Sequence, residues 1–238
     1  MKNKVGIIGA MASEVKDLVS SLSDYKKEKH YNLTFHTGKL EGVDVVVLQC
    51  GVGKVNAARS TQMLIDFYNP TLIINTGIAG GTAPNVAPFD AIIATKLVQH
   101  DFDVTPFGHA KGYMCTGKES NKPTLFTPSE EYSALFEKAC DEFFDPTQVK
   151  RGVIATGDIF VASPHLRSSI YNEFGALAAE MEGGAIAQVA EYDAVPFVVL
   201  RVISDNADGE ATVSFDTLEK ESAKRSALTV KAFLSLLS

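Results

Sequence analysis

Residues 197–203, FVVLRVI, constrain the fold more than any other part of the chain. A run this apolar, broken by a single charge, fits a strand covered on both faces rather than one with a wet side. Pro196 precedes it, at a first strand position where a missing N–H is tolerated. Ser204 and Asp205 end it. Residues 177–181 form a second short apolar run, which closes in the acids Glu180 and Glu182. Gly183 and Gly184 then open a helix with Ile186, Val189 and Ala190 along one side. Strand, helix and strand in this order predict an α/β protein. Glu182 and Asp205 fall at the carboxyl ends of the two strands, where open α/β sheets bind their ligands. Strand alternation puts Arg201, Ile203 and Asp205 on one face. Helix capping is the competing use of the two acids.

The rest of the chain continues the alternation. Residues 4–10 read as a first buried strand, followed by a helix carrying Val15, Leu18, Val19 and Leu22 at helical spacing, with Ser13 as its N-cap. Glu14 falls in the first turn of that helix, where the dipole favours a carboxylate. Residues 33–39 and 43–49 form a hairpin around Leu40-Glu41-Gly42. Gly51-Val52-Gly53-Lys54 leads into a helix through Phe67 and lacks the leading glycine and spacing of a Walker loop. Residues 72–75 are a buried strand that runs into a glycine-rich turn over 76–81. Further strands are expected at 91–98 and 151–156, a surface loop at 108–128, and helices at 130–144, 164–174 and 215–237. With no repeat, low-complexity tract or linker, residues 1–238 are expected to form one domain.

Composition removes several function classes. The 238 residues are 45% hydrophobic and 21% charged, ordinary for a globular protein large enough to bury a sizeable core. The net charge of −7, with Lys and Arg scattered, argues against a nucleic-acid or anionic-membrane partner. No apolar run reaches the roughly 18 residues that span a bilayer. The opening MKNKVGIIGAM has a short apolar part without a cleavage-like site, so it reads as a strand and not as a signal peptide. Cys50, Cys115 and Cys140 are odd in number and far apart, which suits a reducing, cytoplasmic setting. His100-Asp101-Phe102-Asp103 has the look of a metal site but lacks a fourth ligand nearby, and no metal is expected.

Glu14, Glu182 and Asp205 therefore collect at one edge of a sheet, beside glycine-rich segments at Gly51 and Gly77. Carboxylates facing each other across a cleft suit cleavage of a glycosidic bond. One is protonated and donates to the leaving group; another is ionised and activates water or holds hydroxyls. Residue types alone reach as far as an acid-lined pocket in an α/β domain.

Seven motifs go further. They are G-I-I-G-A-M-x-x-E-V from Gly6, G-V-G-K-V-N-A-A from Gly51, N-T-G-x-A-G-G from Asn75 and D-V-T-x-F-G from Asp103, then G-D-x-F from Gly157, A-x-E-M-E from Ala178 and V-P-F-V-V-x-R-x-I-S-D from Val195. In this order they resemble the methylthioadenosine/S-adenosylhomocysteine nucleosidases, within the wider nucleoside phosphorylase family, from about Lys4 to the final helix. The resemblance implies a three-layer fold with a twisted mixed central sheet flanked by helices. It implies hydrolysis of the N-glycosidic bond of an adenine nucleoside, with release of adenine and no metal or organic cofactor. Asp205 would protonate N7 of adenine, oriented by Ser204. Glu14 would be the base for the attacking water, which Arg201 would help to position. Glu182 would hold the ribose 2′ and 3′ hydroxyls, with Met181 packed beneath the sugar. Phe160 would stack on adenine, and the backbone of Val161 would read its edge. Met11, Val52 and Phe215 would line the pocket for the 5′-thio group, while Ile78, Ala79 and Gly80 belong to the segment beside the ribose. Val104 and Phe107 would reach into a neighbouring subunit's site in a homodimer. Ile78 stands where the family pattern usually has a serine, so a hydroxyl that could touch water or ribose is missing. An aminodeoxyfutalosine nucleosidase would use the same adenine and ribose contacts. A phosphorolytic purine nucleoside phosphorylase would need a phosphate cradle built with arginine, and none occurs near residues 9–11 or 77–81. A non-catalytic nucleoside-binding protein on this fold would not need all three acids.

Overall fold

The computed structural model describes residues 4–115, 121–205 and 215–237. In chain order these form β1 (Lys4–Gly9), α1 (Ala12–Ser20), β2 (Ser23–His30), β3 (Leu33–Leu40), β4 (Val43–Gln49), α2 (Lys54–Tyr68), β5 (Leu72–Gly81) and β6 (Ala91–Gln99). Then follow α3 (Glu130–Cys140), β7 (Val149–Thr156), α4 (Pro164–Phe174), β8 (Ala176–Glu180), α5 (Gly183–Tyr192), β9 (Phe197–Asp205) and α6 (Phe215–Ser235). Among the described residues the strands make one mixed sheet of nine, ordered β2-β3-β4-β1-β5-β8-β7-β6-β9.

The sheet closes on itself at one end. β9 pairs parallel with β5 and antiparallel with β6, so β5, β8, β7, β6 and β9 form a ring. The length of β5 makes this possible. Its first half lies between β1 and β9, and its last two residues, Gly80 and Gly81, pair with Ala179 and Ala178 of β8. The glycine-rich stretch expected to be a turn at 76–81 is thus strand throughout; its glycines let the backbone bend between two partners without ending the ladder.

Helices cover both faces, as the apolar run of β9 requires. Val198, Leu200 and Val202 face a core completed by Leu18 of α1, Phe136 of α3 and Phe233 of α6. Val199 and Ile203 face the opposite core, with Leu64 of α2 and Ile186 of α5. This is the three-layer, twisted mixed sheet anticipated from the sequence.

Other expectations needed correction. The N-cap of α1 is Met11, not Ser13, whose hydroxyl donates instead to Glu219 of α6 at 2.8 Å. Glu14, the third residue of the helix, reaches back to the N–H of the N-cap Met11 and to that of Ala10 before it. The helix expected over 130–144 ends at Cys140. β2 was not foreseen; it is a polar strand, SDYKKEKH, paired to β3 with its side chains almost all exposed.

Candidate active site

β1 ends at Gly9 and the chain turns directly into α1. The first N–H groups of a helix have no intrahelical partner. Here the Glu14 carboxylate takes two N–H groups beside that start: its Oε2 accepts from Ala10 at 2.6 Å and Met11 at 2.9 Å. Its Oε1 accepts from the N–H of Ile78 on β5 at 3.0 Å. β5 comes this close because residue 77 is glycine; a Cβ there would strike the Glu14 carboxylate. Burial pushes the Glu14 pKa above the usual carboxylate range, opposed by the charge of Arg201 and by the three N–H groups.

The β8–α5 corner is built differently. Glu180 closes β8, and its Oε2 accepts from the N–H groups of Glu182 at 3.0 Å and Gly183 at 2.7 Å. The same oxygen receives the Arg201 guanidinium at 2.5 Å. Thr156 donates its hydroxyl to the other oxygen of Glu180 and accepts from the N–H of Gly184 at 2.7 Å. Arg201, only 2% exposed, also donates to Asn75 Oδ1 at 2.6 Å. Glu182 Oε1 accepts from the N–H of Gly53 at 2.9 Å, and its Oε2 lies 4.0 Å from Arg201. Gly53 has φ +98°, a conformation that glycine adopts readily. Burial first, then the neighbouring charge of Glu180, pushes the Glu182 pKa up to about 7, against the pull of Arg201.

Asp205 ends β9, where the register against β5 slips: Ala79 pairs with Ile203, but Gly80 pairs with Asp205. The extra residue flips the alternation. Asp205 therefore leaves the face shared by Arg201 and Ile203, contrary to the simple period-two reading. The Ser204 hydroxyl donates to Asp205 Oδ2 at 2.8 Å.

These corners enclose a mostly apolar cavity of about 290 Å³. Glu14, Glu182, Asp205 and Ser204 line it, as do Met11, Val52 and Ile78. Ala79, Gly80, Met181, Phe160 and Val161 complete the expected residues that meet there. Three positions stand elsewhere. Arg201 lies behind the cavity wall, engaged by Glu180 and Asn75, so its guanidinium is not where a water-positioning group would be expected. Val104 and Phe107 stand apart from the cavity on a 3-10 turn, Thr105–Phe107 with Val104 as its N-cap, where Phe107 is 80% exposed. Phe215 opens α6, and its side chain lies outside the described residues.

The cavity also takes Ala10, Ile159, Ala179 and Glu180, which residue reading had not assigned to it. Glu180 had left a signal: an acid ending the otherwise apolar strand ALAAE. The acids at 101 and 103 are used locally. Asp101 binds Lys54 Nζ at 2.7 Å and the N–H of Asp158 at 2.9 Å, and Asp103 accepts from the N–H of Thr105. Among the described residues no group of three His, Cys, Asp or Glu is arranged to hold a metal, and no helix is long and apolar enough to cross a membrane.

A family profile described as the phosphorylase superfamily matches residues 4–235. A 5′-methylthioadenosine/S-adenosylhomocysteine nucleosidase of Shewanella loihica is 39% identical over 235 residues, covering 98% of this chain and 100% of that one. The crystal structure of the S-adenosylhomocysteine nucleosidase of Streptococcus pyogenes, in complex with 5-methylthiotubericidin, superposes with a TM-score of 0.91 at 36% identity, covering 100% of this chain and 98% of that one. A futalosine hydrolase of Helicobacter pylori superposes with a TM-score of 0.90 at 33% identity, covering 98% of each chain. Matched from end to end in both sequence and fold, the chain belongs to the phosphorylase superfamily and, within it, to the family of the 5′-methylthioadenosine/S-adenosylhomocysteine nucleosidases.

Proposed function

We propose that the protein hydrolyses the N-glycosidic bond of 5′-methylthioadenosine and S-adenosylhomocysteine, releasing adenine and the 5-thio-substituted ribose, and that one domain spanning the chain carries the whole site. The observation that carries this reading is the meeting, in one mostly apolar cavity, of Asp205 with its Ser204 hydroxyl and of Glu14 locked by three backbone N–H groups. Asp205 donates its proton to N7, which makes adenine a better leaving group as the C1′–N9 bond opens. The ribosyl centre becomes oxocarbenium-like, and the attacking water gives its proton to Glu14, whose carboxylate burial makes more basic than usual. Glu182 holds the 2′ and 3′ hydroxyls, Met181 packs beneath the sugar, and Phe160 and the Val161 backbone bind adenine. Met11 and Val52 receive the 5′-thio group. Ile78 offers its N–H to Glu14 and an apolar side chain to the cavity. Arg201 acts on Glu14 and Glu182 from behind, through its charge.

A second reading, aminodeoxyfutalosine hydrolysis, is favoured by the likeness to the futalosine hydrolase. Adenine release from methylthioadenosine, S-adenosylhomocysteine, 5′-deoxyadenosine and aminodeoxyfutalosine, each with and without phosphate, separates the readings. Turnover of the first two at a rate indifferent to phosphate is expected, with Asp205→Asn at least about 10² slower in kcat. Release from aminodeoxyfutalosine alone selects the second reading, and dependence on phosphate selects phosphorolysis.

The exposed Phe107 and the neighbouring Val104 fit a homodimer in which each chain completes its partner's 5′ pocket. Asp205→Asn spoils a chain's own site, whereas Phe107→Asp spoils its partner's. In a mixed dimer both lesions fall on one site and the other is intact. Subunit exchange at equal amounts therefore restores about one site in four if pairing is random. No recovery after verified exchange would place Phe107 in its own chain's structure only.

A further inference from the structure

Glu180 is a buried charge to which the reaction, as described, gives no task. Its donors come from three directions: two N–H groups opening α5, the Thr156 hydroxyl on β7 and the Arg201 guanidinium on β9. A carboxylate out of water needs such a set, and one or two partners would have sufficed to hold a strand end. Glu182, the N-cap residue of α5, makes no capping bond with its own side chain. Glu180 takes the N–H groups of Glu182 and Gly183 and Thr156 takes that of Gly184, so the Glu182 carboxylate is left to turn to Gly53 and the cavity. Thr156 ties the arrangement once more by accepting from Gly184; a Cβ on Gly184 would come within 2.8 Å of that hydroxyl oxygen.

We propose that Glu180 is a positioning residue for the sugar-binding acid: clamped by Thr156 and Arg201, it anchors the first peptides of α5 so that Glu182 presents its carboxylate to the ribose hydroxyls. The proposal rests on Glu182 being the ribose ligand. Glu180 also acts on Glu182 as a like charge. The groups facing Glu182 are Glu180 from β8, Arg201 from β9, Glu14 from α1 and the Cys50 thiol just beyond β4, while Asp205 lines the same cavity. Of these, Glu180 is the charge that most strongly discourages ionisation of Glu182, and Arg201 favours it. Removing the negative charge at 180 lets Glu182 ionise at lower pH.

The test uses the full-length enzyme, with methylthioadenosine and its 2′,3′-dideoxy analogue as substrates. Glu180→Gln can keep its amide oxygen toward α5 and Arg201 and its NH2 toward Thr156, so shape is preserved and charge is lost. Its KM for methylthioadenosine should stay low to a pH about one unit below the wild-type limit. Glu180→Ala removes the anchor. Its KM for methylthioadenosine should rise about tenfold or more, with little change for the dideoxy analogue. Glu182→Gln serves as the reference and should show the same discrimination between substrates. An unmoved pH limit in Glu180→Gln overturns the proposal, even if Glu180→Ala does not fold. So does a Glu180→Ala that loses both substrates equally while Glu182→Gln still discriminates. A Glu182→Gln that treats the two substrates alike overturns the ribose reading and the positioning role with it.

Discussion

The α1 and α5 corners both bury a carboxylate where a strand gives way to a helix, and they hold it in opposite ways. At α1, Glu14 itself takes the N–H groups of Ala10 and Met11, and β5 adds a third from Ile78. At α5 the N–H groups of Glu182 and Gly183 go to Glu180, and Glu182 keeps a single N–H bond, from Gly53. A group fixed by its own backbone has a defined direction for proton transfer but little capacity for further partners. A group whose backbone is served by a neighbour keeps lone pairs for a ligand. The same local motif thus yields a base in one corner and a binding acid in the other.

The largest effect that could break this contrast is in kcat. Glu14→Gln should lower kcat by about 10²–10⁴ with KM changed only a few-fold, since the amide cannot accept from N–H groups on both sides. Steady-state kinetics decide it: KM rising in step with the fall in kcat would make Glu14 a binding residue like Glu182. Glu182→Gln comes next. Its KM for a ribonucleoside should rise about 10–100-fold, the worth of hydrogen bonds to a charged group, with a smaller loss in kcat. A pure kcat defect would erase the distinction between the corners.

The smallest effect is on stability and sharpens the contrast in charge. Glu182 in the folded protein has its pKa pushed from the ordinary 4.5 to about 7. Between those values the folded state binds more protons than the unfolded one. Stability from this group is therefore full below pH 4.5 and is lost as pH rises towards 7. Thermal melts across that range should show Tm falling less steeply with pH in Glu182→Gln than in the wild type, a difference of a few degrees. Parallel Tm curves would mean that Glu182 is not held out of water with a like charge beside it.

Sequence periodicity revealed the elements whose environment is uniform. Residues 197–203 are buried on both faces and read as strand at once, and the Pro164–Phe174 helix matches its expected limits. β2 was hidden because all but one of its side chains face solvent; nothing in SDYKKEKH marks it except pairing to β3, which is a property of the distant register. The second half of β5 was hidden by Gly77, Gly80 and Gly81, whose reasons are close approach to Glu14 and a change of strand partner. Three of the cavity's acids were legible from their places at strand ends. Glu180 was visible as an acid at a strand end but its clamp was not, because its partners Thr156 and Arg201 lie 24 and 21 residues away along the chain. The change of face at Asp205 was also illegible, since a bulge belongs to a pair of strands and leaves no mark in one of them.

The ring closed by β9 has a consequence for how the molecule is made. Until residues 197–205 emerge from the ribosome, β5 and β6 each lack a neighbour that they have in the finished sheet. Their sequences, LIIN and AIIA, are the kind of open edge on which another nascent chain can pair. Once β9 is inserted, β2 is left as an outer strand, and Lys26, Lys27 and Lys29 guard it with charge. The strand that delivers Arg201 and Asp205 is also the one that takes the growing chain out of danger of aggregation, so a chain cut short before it would be both inactive and adhesive.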